Sequence, residues 1–240
     1  MKFDGQYFHY IDKWLFALAR TNHVEDGLRI AKSIFPYFFE ENYGSGGMRW
    51  KLSVNANPPS ALPPTYGPND DTLNALIVYK LLESQRQHHD ECISSLSLQH
   101  EIQMLQDSLK NYHPRVTYDA LGWGLEAMYD QFVEGHPRTN PLRNFASDAL
   151  CTSNISLPFR LYGALIGATV SNQHLVSQHE LAKVREFCIK YEFQQMEKSK
   201  ASEGKHREEF AEINRVMLAM ALLGSKSALC RNQNDPMIRL

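Results

Sequence analysis

Apolar residues recur every three or four positions along most of the chain, which is the pattern of amphipathic helices. The first predicted helix extends from about Gly5 to Thr21, and the second begins near Asp26 and includes Phe39. Only a short turn at residues 22–24 separates them, so we expect the two helices to form an antiparallel pair. The first helix carries an apolar stripe made of Tyr7, Ile11, Trp14, Leu15 and Leu18.

The same spacing predicts seven more helices, followed by a tail over residues 225–240 that we expect to be loosely held. A charged segment at 198–207 lacks the apolar residues of a core helix and is predicted to be a solvated loop. No stretch has the composition of an interdomain linker, so the sequence predicts an all-α fold with one domain over residues 1–240. The seven helices are predicted at about 71–84, 90–111, 118–132, 141–150, 158–170, 177–197 and 208–223.

Residues 43–69 depart from the helical pattern. Met48, Trp50, Leu52 and Val54 alternate with polar residues, which predicts one short strand. Prolines concentrated between residues 58 and 68 exclude a helix there, because proline lacks the amide hydrogen and clashes with the preceding turn. A long loop of this kind inside a helical protein is more often functional than an ordinary connection.

Charge and composition remove several function classes. The 240 residues include 25 Lys+Arg and 27 Asp+Glu, so the chain lacks the positive charge of a nucleic-acid-binding protein. The four cysteines form no C-x-x-C pair, and we expect neither a metal site nor a cofactor. The N-terminal residues lack the apolar core of a signal peptide and no apolar stretch reaches the length of a membrane span, so a cytoplasmic protein without a membrane partner is expected.

Paired acids at the start of the third predicted helix are the densest candidate for chemistry. Asp70 and Asp71 follow a loop that contains Trp50 and Tyr66. Two carboxyl groups can act as general acid and base in glycosidic cleavage, with aromatic rings binding the sugar. Alternatively, Asp70, Asp71 and Asn74 resemble the magnesium-binding aspartate motif of class I terpene synthases. A third possibility is that Asp70 and Asp71 simply cap the helix at its positive end.

Two other helices carry candidate site residues. His9 lies on one helix face with Asp12 or Lys13 and with Phe16, and this face is predicted either to line a cleft or to be solvated. Trp123 stands between two glycines, Gly122 and Gly124, which indicates close approach of the backbone to a ligand or to another helix. Glu126 shares the face of Trp123, and a buried acid there would serve as a proton donor.

Five segments occur in the order found in proteins similar to the six-hairpin glycosidase-like (α/α) toroids: Phe8–Trp14, Trp50–Ser53, Asp119–Gly122, Leu157–Arg160 and Glu212–Ala219. The resemblance implies helical hairpins arranged in a ring around a central cleft. Nine predicted helices are fewer than the twelve of a full toroid, which implies an incomplete ring. Leu161 and Asn74 stand where the family pattern implies acids. This departure leaves open the alternative that the chain is a non-catalytic relative of the family.

The first functional hypothesis is a glycoside-hydrolase-like protein that acts on or binds a small sugar-containing or neutral ligand in the cleft. One alternative is a binding protein that has lost its catalytic acids. Another is a tailoring enzyme for a hydrophobic, terpenoid-type natural product. The residues expected to carry the first hypothesis are Asp70, Asp71 and Glu126 in catalysis, and His9, Trp50, Tyr66 and Trp123 in substrate binding.

Overall fold

The computed structural model describes residues 5–21, 23–41, 47–57, 70–87, 96–110, 120–134, 158–170, 177–201, 211–223 and 234–239. These residues are mostly helical, which confirms the predicted all-α class. The helices of this part of the chain are α1 (Phe8–Arg20), α2 (Val24–Phe38), α3 (Asp71–Arg86), α4 (Gln99–Ser108), α5 (Ala120–Asp130), α6 (Pro158–Val170), α7 (Gln178–Ala201) and α8 (Ala211–Leu223). The short strands are β1 (Gln6–Tyr7), β2 (Phe39–Glu40), β3 (Gly47–Met48), β4 (Lys51–Leu52), β5 (Val133–Glu134) and β6 (Ile238–Arg239).

The contacts group the chain into two compact units. The first unit comprises Met1–Arg115 with Asn232–Leu240, and the second comprises Val116–Arg231. The single domain over residues 1–240 stays a prediction, and the helix predicted at 141–150 lies outside the described residues.

Helix α3 forms the centre of the first unit. Eleven of its sixteen residues are buried, and it packs against α1, α2 and α4. A helix that is buried on all sides needs apolar residues on every face, and residues 75–79 supply an unbroken buried run. The neighbouring helices α1 and α2 also pack together, as predicted. Trp14 differs from the prediction, because its side chain is 63% exposed instead of facing the core.

The predicted strand over residues 48–54 is instead two separate two-residue strands with different partners. Strand β3 pairs antiparallel with β2, and β4 pairs antiparallel with β1. The partner changes between Arg49, whose N–H donates to the Phe38 carbonyl at 2.7 Å, and Trp50, whose carbonyl accepts the Phe8 N–H at 3.0 Å. In the sequence, apolar and polar residues alternate without a break across this change of partner. The sequence pattern therefore did not reveal the change.

The same segment also holds the start of α3. The Met48 N–H donates to Thr72 Oγ1 at 3.0 Å, in the first turn of that helix. Phe8, the first residue of α1, is bound two residues further along, at Trp50. Residues 47–52 therefore fix the N-terminal ends of two contacting helices at one place.

The C-terminal residues 234–239 lie against the first unit. Asp235 and Ile238 are buried, and Arg20 donates to both oxygens of Asp235, at 3.1 and 2.8 Å. A bidentate pair between two buried side chains holds this segment firmly. This part of the tail is therefore more tightly attached than the loosely held tail expected from the sequence.

The second unit is built on close packing of α5 against α6. A methyl group added at Gly124 would overlap the backbone carbonyl of Gly163, and one added at Gly167 would overlap the backbone of Gly124. Gly124, one of the two glycines beside Trp123, therefore serves helix packing, which is one of the two explanations that the sequence left open. Helix α6 also packs against α7 and α8.

Helix α7 extends further than predicted. It ends at Ala201, so residues 198–201, which the sequence placed in a solvated loop, are helical. Lysine and alanine favour helices, and no proline or glycine interrupts the sequence until Gly204. The charged composition of residues 198–201 therefore did not indicate the loss of helix.

We predict that Gly124→Ala lowers the free energy of unfolding by about 2 kcal/mol. The new methyl group would overlap the backbone of Gly163, and relieving this overlap requires a shift of one helix against the other. Gly27→Ala is the matched control. Its methyl group would lie 2.6 Å from a terminal carbon of Leu82, which can turn, while alanine favours the helix by about 1 kcal/mol. The control should stay within about 1 kcal/mol of the wild type in urea unfolding, and equal losses in both variants would contradict the backbone contact.

Glu83 joins α3 to the start of α4. Its carboxylate accepts hydrogen bonds from Arg86 at 2.7 Å and from the Leu98 N–H at 2.9 Å. Burial raises the pKa of Glu83, but these hydrogen bonds together with one from Gln99 outweigh burial and hold the pKa below its usual value of 4.5. The ionised carboxylate thus satisfies donors that would otherwise be buried without partners.

Glu83→Gln should therefore lower the free energy of unfolding by about 2 kcal/mol at neutral pH. Since the folded-state pKa lies below the unfolded one, the stabilising effect is complete above pH 4.5 and is lost as the pH falls through the folded-state pKa. Urea unfolding at pH 7 and at pH 3 measures both effects. Glu25→Gln, which breaks an exposed ion pair with Arg29, is the control and should change stability by less than about 1 kcal/mol.

Candidate functional site

The structure assigns the predicted site residues to both units. His9, Trp50, Asp70 and Asp71 belong to the first unit, and Glu126 belongs to the second. Tyr66 and the side chain of Trp123 lie outside the described residues. The distances and contacts that define the site therefore concern the four candidates of the first unit.

His9 and Trp50 share an aromatic cluster around Tyr7. The Tyr7 ring centroid lies 5.6 Å from that of His9, 5.4 Å from that of Trp50 and 5.9 Å from that of Tyr10. His9 and Tyr10 also contact each other, with centroids 4.2 Å apart. We call these four residues with Lys51 the Tyr7 cluster, because Lys51 Nζ lies 4.7 Å from the Tyr7 centroid.

Strand pairing brings this cluster together. Tyr7 is directly opposite Lys51 in the β1–β4 ladder, and the Phe8 N–H bonds the Trp50 carbonyl. Sequence reasoning identified His9 and Trp50 as binding residues but missed Tyr7, Tyr10 and Lys51. A two-residue ladder is too short to leave a periodic pattern, so the only available indication was the density of aromatic residues in positions 7–14.

The cluster presents ring carbon to the surface. Tyr10 is 70% exposed, while Tyr7, His9 and Trp50 are half-buried. Trp50 Nε1 and His9 Nδ1 are buried and have no hydrogen-bond partner within the described part of the chain. Since Nε1 is the only polar atom of the indole, the exposed surface of Trp50 is entirely carbon.

His9 is electrically neutral in this position. Burial, and secondly the charge of Lys13, lower the pKa of His9 from 6.5 to about 4. Lys13 itself donates to both carboxylate oxygens of the fully buried Asp12, at 2.8 and 2.7 Å. The solvated face predicted for His9, Asp12 and Phe16 is wrong, because Asp12 and Phe16 are buried while His9 is only half-buried. The alternative, a face that lines a cleft, stays a prediction.

Asp70 and Asp71 are buried at the start of α3, with relative exposures of 7% and 4%. The Asp70 carbonyl accepts the Asn74 N–H at 2.9 Å, but the Asp70 side chain makes no capping hydrogen bond to the helix. Asn74 is also buried, and its Oδ1 has no hydrogen-bond partner among the described residues. This end of α3 is thus a buried, polar region.

The third predicted acid, Glu126, is 5% exposed within α5. Leu161, where the family pattern implies an acid, is buried in the apolar core of the second unit with Tyr162 and Leu165. Within the described ranges, no group of three or more His, Cys, Asp or Glu side chains is arranged to hold a metal ion. None of the helices described here is long and apolar enough to span a membrane.

The chain matches no protein-family model, no curated protein and no solved structure.

We predict that the imidazole of His9 stays neutral down to about pH 4 in an NMR titration. The unfolded chain takes up this proton near pH 6.5, so the residue reduces stability as the pH falls from 6.5 to about 4. Lys13→Met should raise the pKa of His9 without restoring it to 6.5, since burial is the larger cause. Titration of wild-type His9 near 6.5 would show that the imidazole is solvated.

Proposed function

We propose that this chain is a glycoside-hydrolase-like helical protein that binds a small, neutral, sugar-containing ligand on the Tyr7 cluster. The observation that carries the proposal is the set of aromatic rings around Tyr7, which join two residues identified independently in the sequence as substrate-binding, His9 and Trp50. The family resemblance supports the same ligand class, because aromatic side chains and acids line the cleft of the toroids it resembles.

Ring carbon at the surface favours stacking over hydrogen bonding. An aromatic face carries partial negative charge, which attracts the partially positive C–H groups on the flat face of a sugar. The indole nitrogen of Trp50 is buried, so the exposed part of this ring carries no competing polar group. Half-buried rings are also held in place by their neighbours and lose little conformational freedom when a ligand binds.

The charges around the cluster disfavour a cationic ligand. Lys51 already occupies a position 4.7 Å from the centre of the Tyr7 ring, where a cationic ligand would otherwise bind. Lys13, beside His9, is compensated by Asp12, and His9 is uncharged above about pH 4. A ligand cation would be repelled by Lys51, whereas a neutral sugar pays no such cost.

Asp70 and Asp71 are the acids of the first unit that we assign to catalysis in this proposal. Thr72, the next residue, is bound to Met48, only two residues before Trp50. This connection keeps the acidic end of α3 in a fixed relation to the strand segment that carries part of the aromatic cluster. In a glycosidase, one such carboxyl group would protonate the leaving oxygen and a second would activate water or attack the sugar.

Binding without catalysis is the second candidate. It is favoured by Leu161 and Asn74, which stand at positions where the resemblance implies acids and which are both buried in their respective units. Asp71→Asn separates the two functions. Under the hydrolase proposal this variant loses glycoside cleavage but retains binding, whereas a wild-type chain that binds sugars and cleaves none of them supports the binding protein.

The binding proposal predicts that Trp50→Ala weakens a sugar ligand about two- to tenfold, the range expected for one aromatic contact. Saturation-transfer NMR against a panel of methyl glycosides and disaccharides identifies a binder, and titration gives the dissociation constant. Trp14→Ala is the matched control, since Trp14 lies on the same helix as His9 but is 63% exposed and outside the cluster.

Two results would contradict this proposal. Binding that is unchanged in Trp50→Ala but weakened in Trp14→Ala would place the ligand elsewhere on α1. Failure of every sugar in the panel to bind the folded wild type would remove the Tyr7 cluster as a carbohydrate site.

A further inference from the structure

A groove between α7 and α8 lies within the second unit. It encloses a volume of about 230 Å³. An engineered apolar cavity of about 150 Å³ is known to bind benzene, so this volume is sufficient for a small ligand. The apolar residues that line it are Ile189, Phe193 and Met196 of α7, and Leu218, Ala219 and Leu222 of α8.

The groove is formed by residues that share one face of each helix. Ile189, Phe193 and Met196 follow the spacing of four and three that places side chains in a row. Two of the apolar side chains remain accessible, because Phe193 is 62% exposed and Leu222 is 37% exposed. Large apolar side chains exposed next to each other on a groove are typical of a binding surface.

One buried carboxylate interrupts this apolar lining. Glu192 is only 4% exposed, and its Oε2 accepts a hydrogen bond from the Tyr162 hydroxyl at 3.0 Å. Burial, together with the charge of Glu192, raises the pKa of Tyr162, so that hydroxyl keeps its proton and remains a donor. Glu192 Oε1, in contrast, has no hydrogen-bond partner within the described residues.

Arg215 covers this oxygen without bonding to it. Its Nε lies 3.8 Å from Glu192 Oε1, which is an ion-pair distance but too long for a hydrogen bond. The Arg215 side chain is 49% exposed, whereas that of Glu192 is 5% exposed. Moving Arg215 away would leave a buried charge without compensation, so a ligand has to bind beside the guanidinium and not replace it.

We propose that the groove binds a neutral apolar alcohol, whose hydroxyl group lies between Glu192 and Arg215 and whose hydrocarbon body lies along the apolar lining. A hydroxyl group can donate to Glu192 Oε1 and accept from Arg215 Nε at the same time. An ionised carboxylate ligand has no donor for Glu192 Oε1, and an ammonium ligand has no acceptor for Arg215 Nε. An ether would satisfy Arg215 alone and leave Glu192 without a donor.

Calorimetric titration of the full chain with 1-octanol, octyl methyl ether and octanoate tests this assignment. We expect octanol to bind about tenfold more tightly than the ether, because a hydrogen bond to an ionised group accounts for a factor of that size. Octanoate should bind more weakly than octanol. Equal binding of all three compounds would overturn the proposal, since it would show unspecific partition onto apolar surface.

Two variants locate the ligand. Glu192→Gln should weaken octanol about tenfold, while Glu186→Gln on the same helix, whose side chain is 65% exposed and paired with Lys190, should leave binding unchanged. Ala219→Phe fills the groove from an exposed position and should abolish binding even if Glu192→Gln fails to fold. Wild-type affinity for octanol in Ala219→Phe, or in a folded Glu192→Gln, would exclude the groove.

Discussion

The geometry of the first unit depends on the hydrogen bonds of residues 47–52. This short segment pairs with β1 on one side and with β2 on the other, and it binds the first turn of α3 through Thr72. Each bond alone adds little to stability. Together they fix the starting points of α1 and α3, and these two ends carry His9, Asp70 and Asp71. The position of the candidate site thus depends mainly on hydrogen bonds of the backbone. The aromatic side chains form the candidate binding surface.

Burial of α3 imposes a second requirement on the same unit. A central helix brings its polar residues into the interior, where each needs a partner. Glu83 meets this requirement through Arg86 and the start of α4. At the other end of the helix, Asn74 retains an oxygen without a partner among the described residues. The C-terminal end of α3 is therefore connected to α4 through Glu83. The N-terminal end keeps a hydrogen-bond acceptor without a partner in the described part of the chain, which is a feature expected of a candidate ligand site.

The sequence predicted those features that repeat over several turns. Helix α6 has the predicted bounds, and α3 begins at the predicted residue, because both combine a long apolar pattern with a clear start. The ladder of Tyr7 with Lys51 was missed, since two-residue strands have no period and their partner is more than 40 residues away. His9 and Trp50 were found by residue type, but their proximity follows only from that ladder. The pairing of Asp70 or Asp71 with Glu126 stays a prediction, because the two acids belong to different units.

The two candidate sites differ in the polar atoms that are buried next to them. In the Tyr7 cluster, the ring nitrogen of Trp50 is buried, so the surface presents carbon and favours the flat face of a sugar. In the α7–α8 groove, the lining is apolar and the carboxylate of Glu192 lies close beneath it, next to a guanidinium that does not bond it. That groove favours a ligand with one hydroxyl group and a hydrocarbon body. A sugar, which carries many hydroxyl groups, would leave most of them unsatisfied against such a lining, so we expect the two proposed sites to bind different ligands.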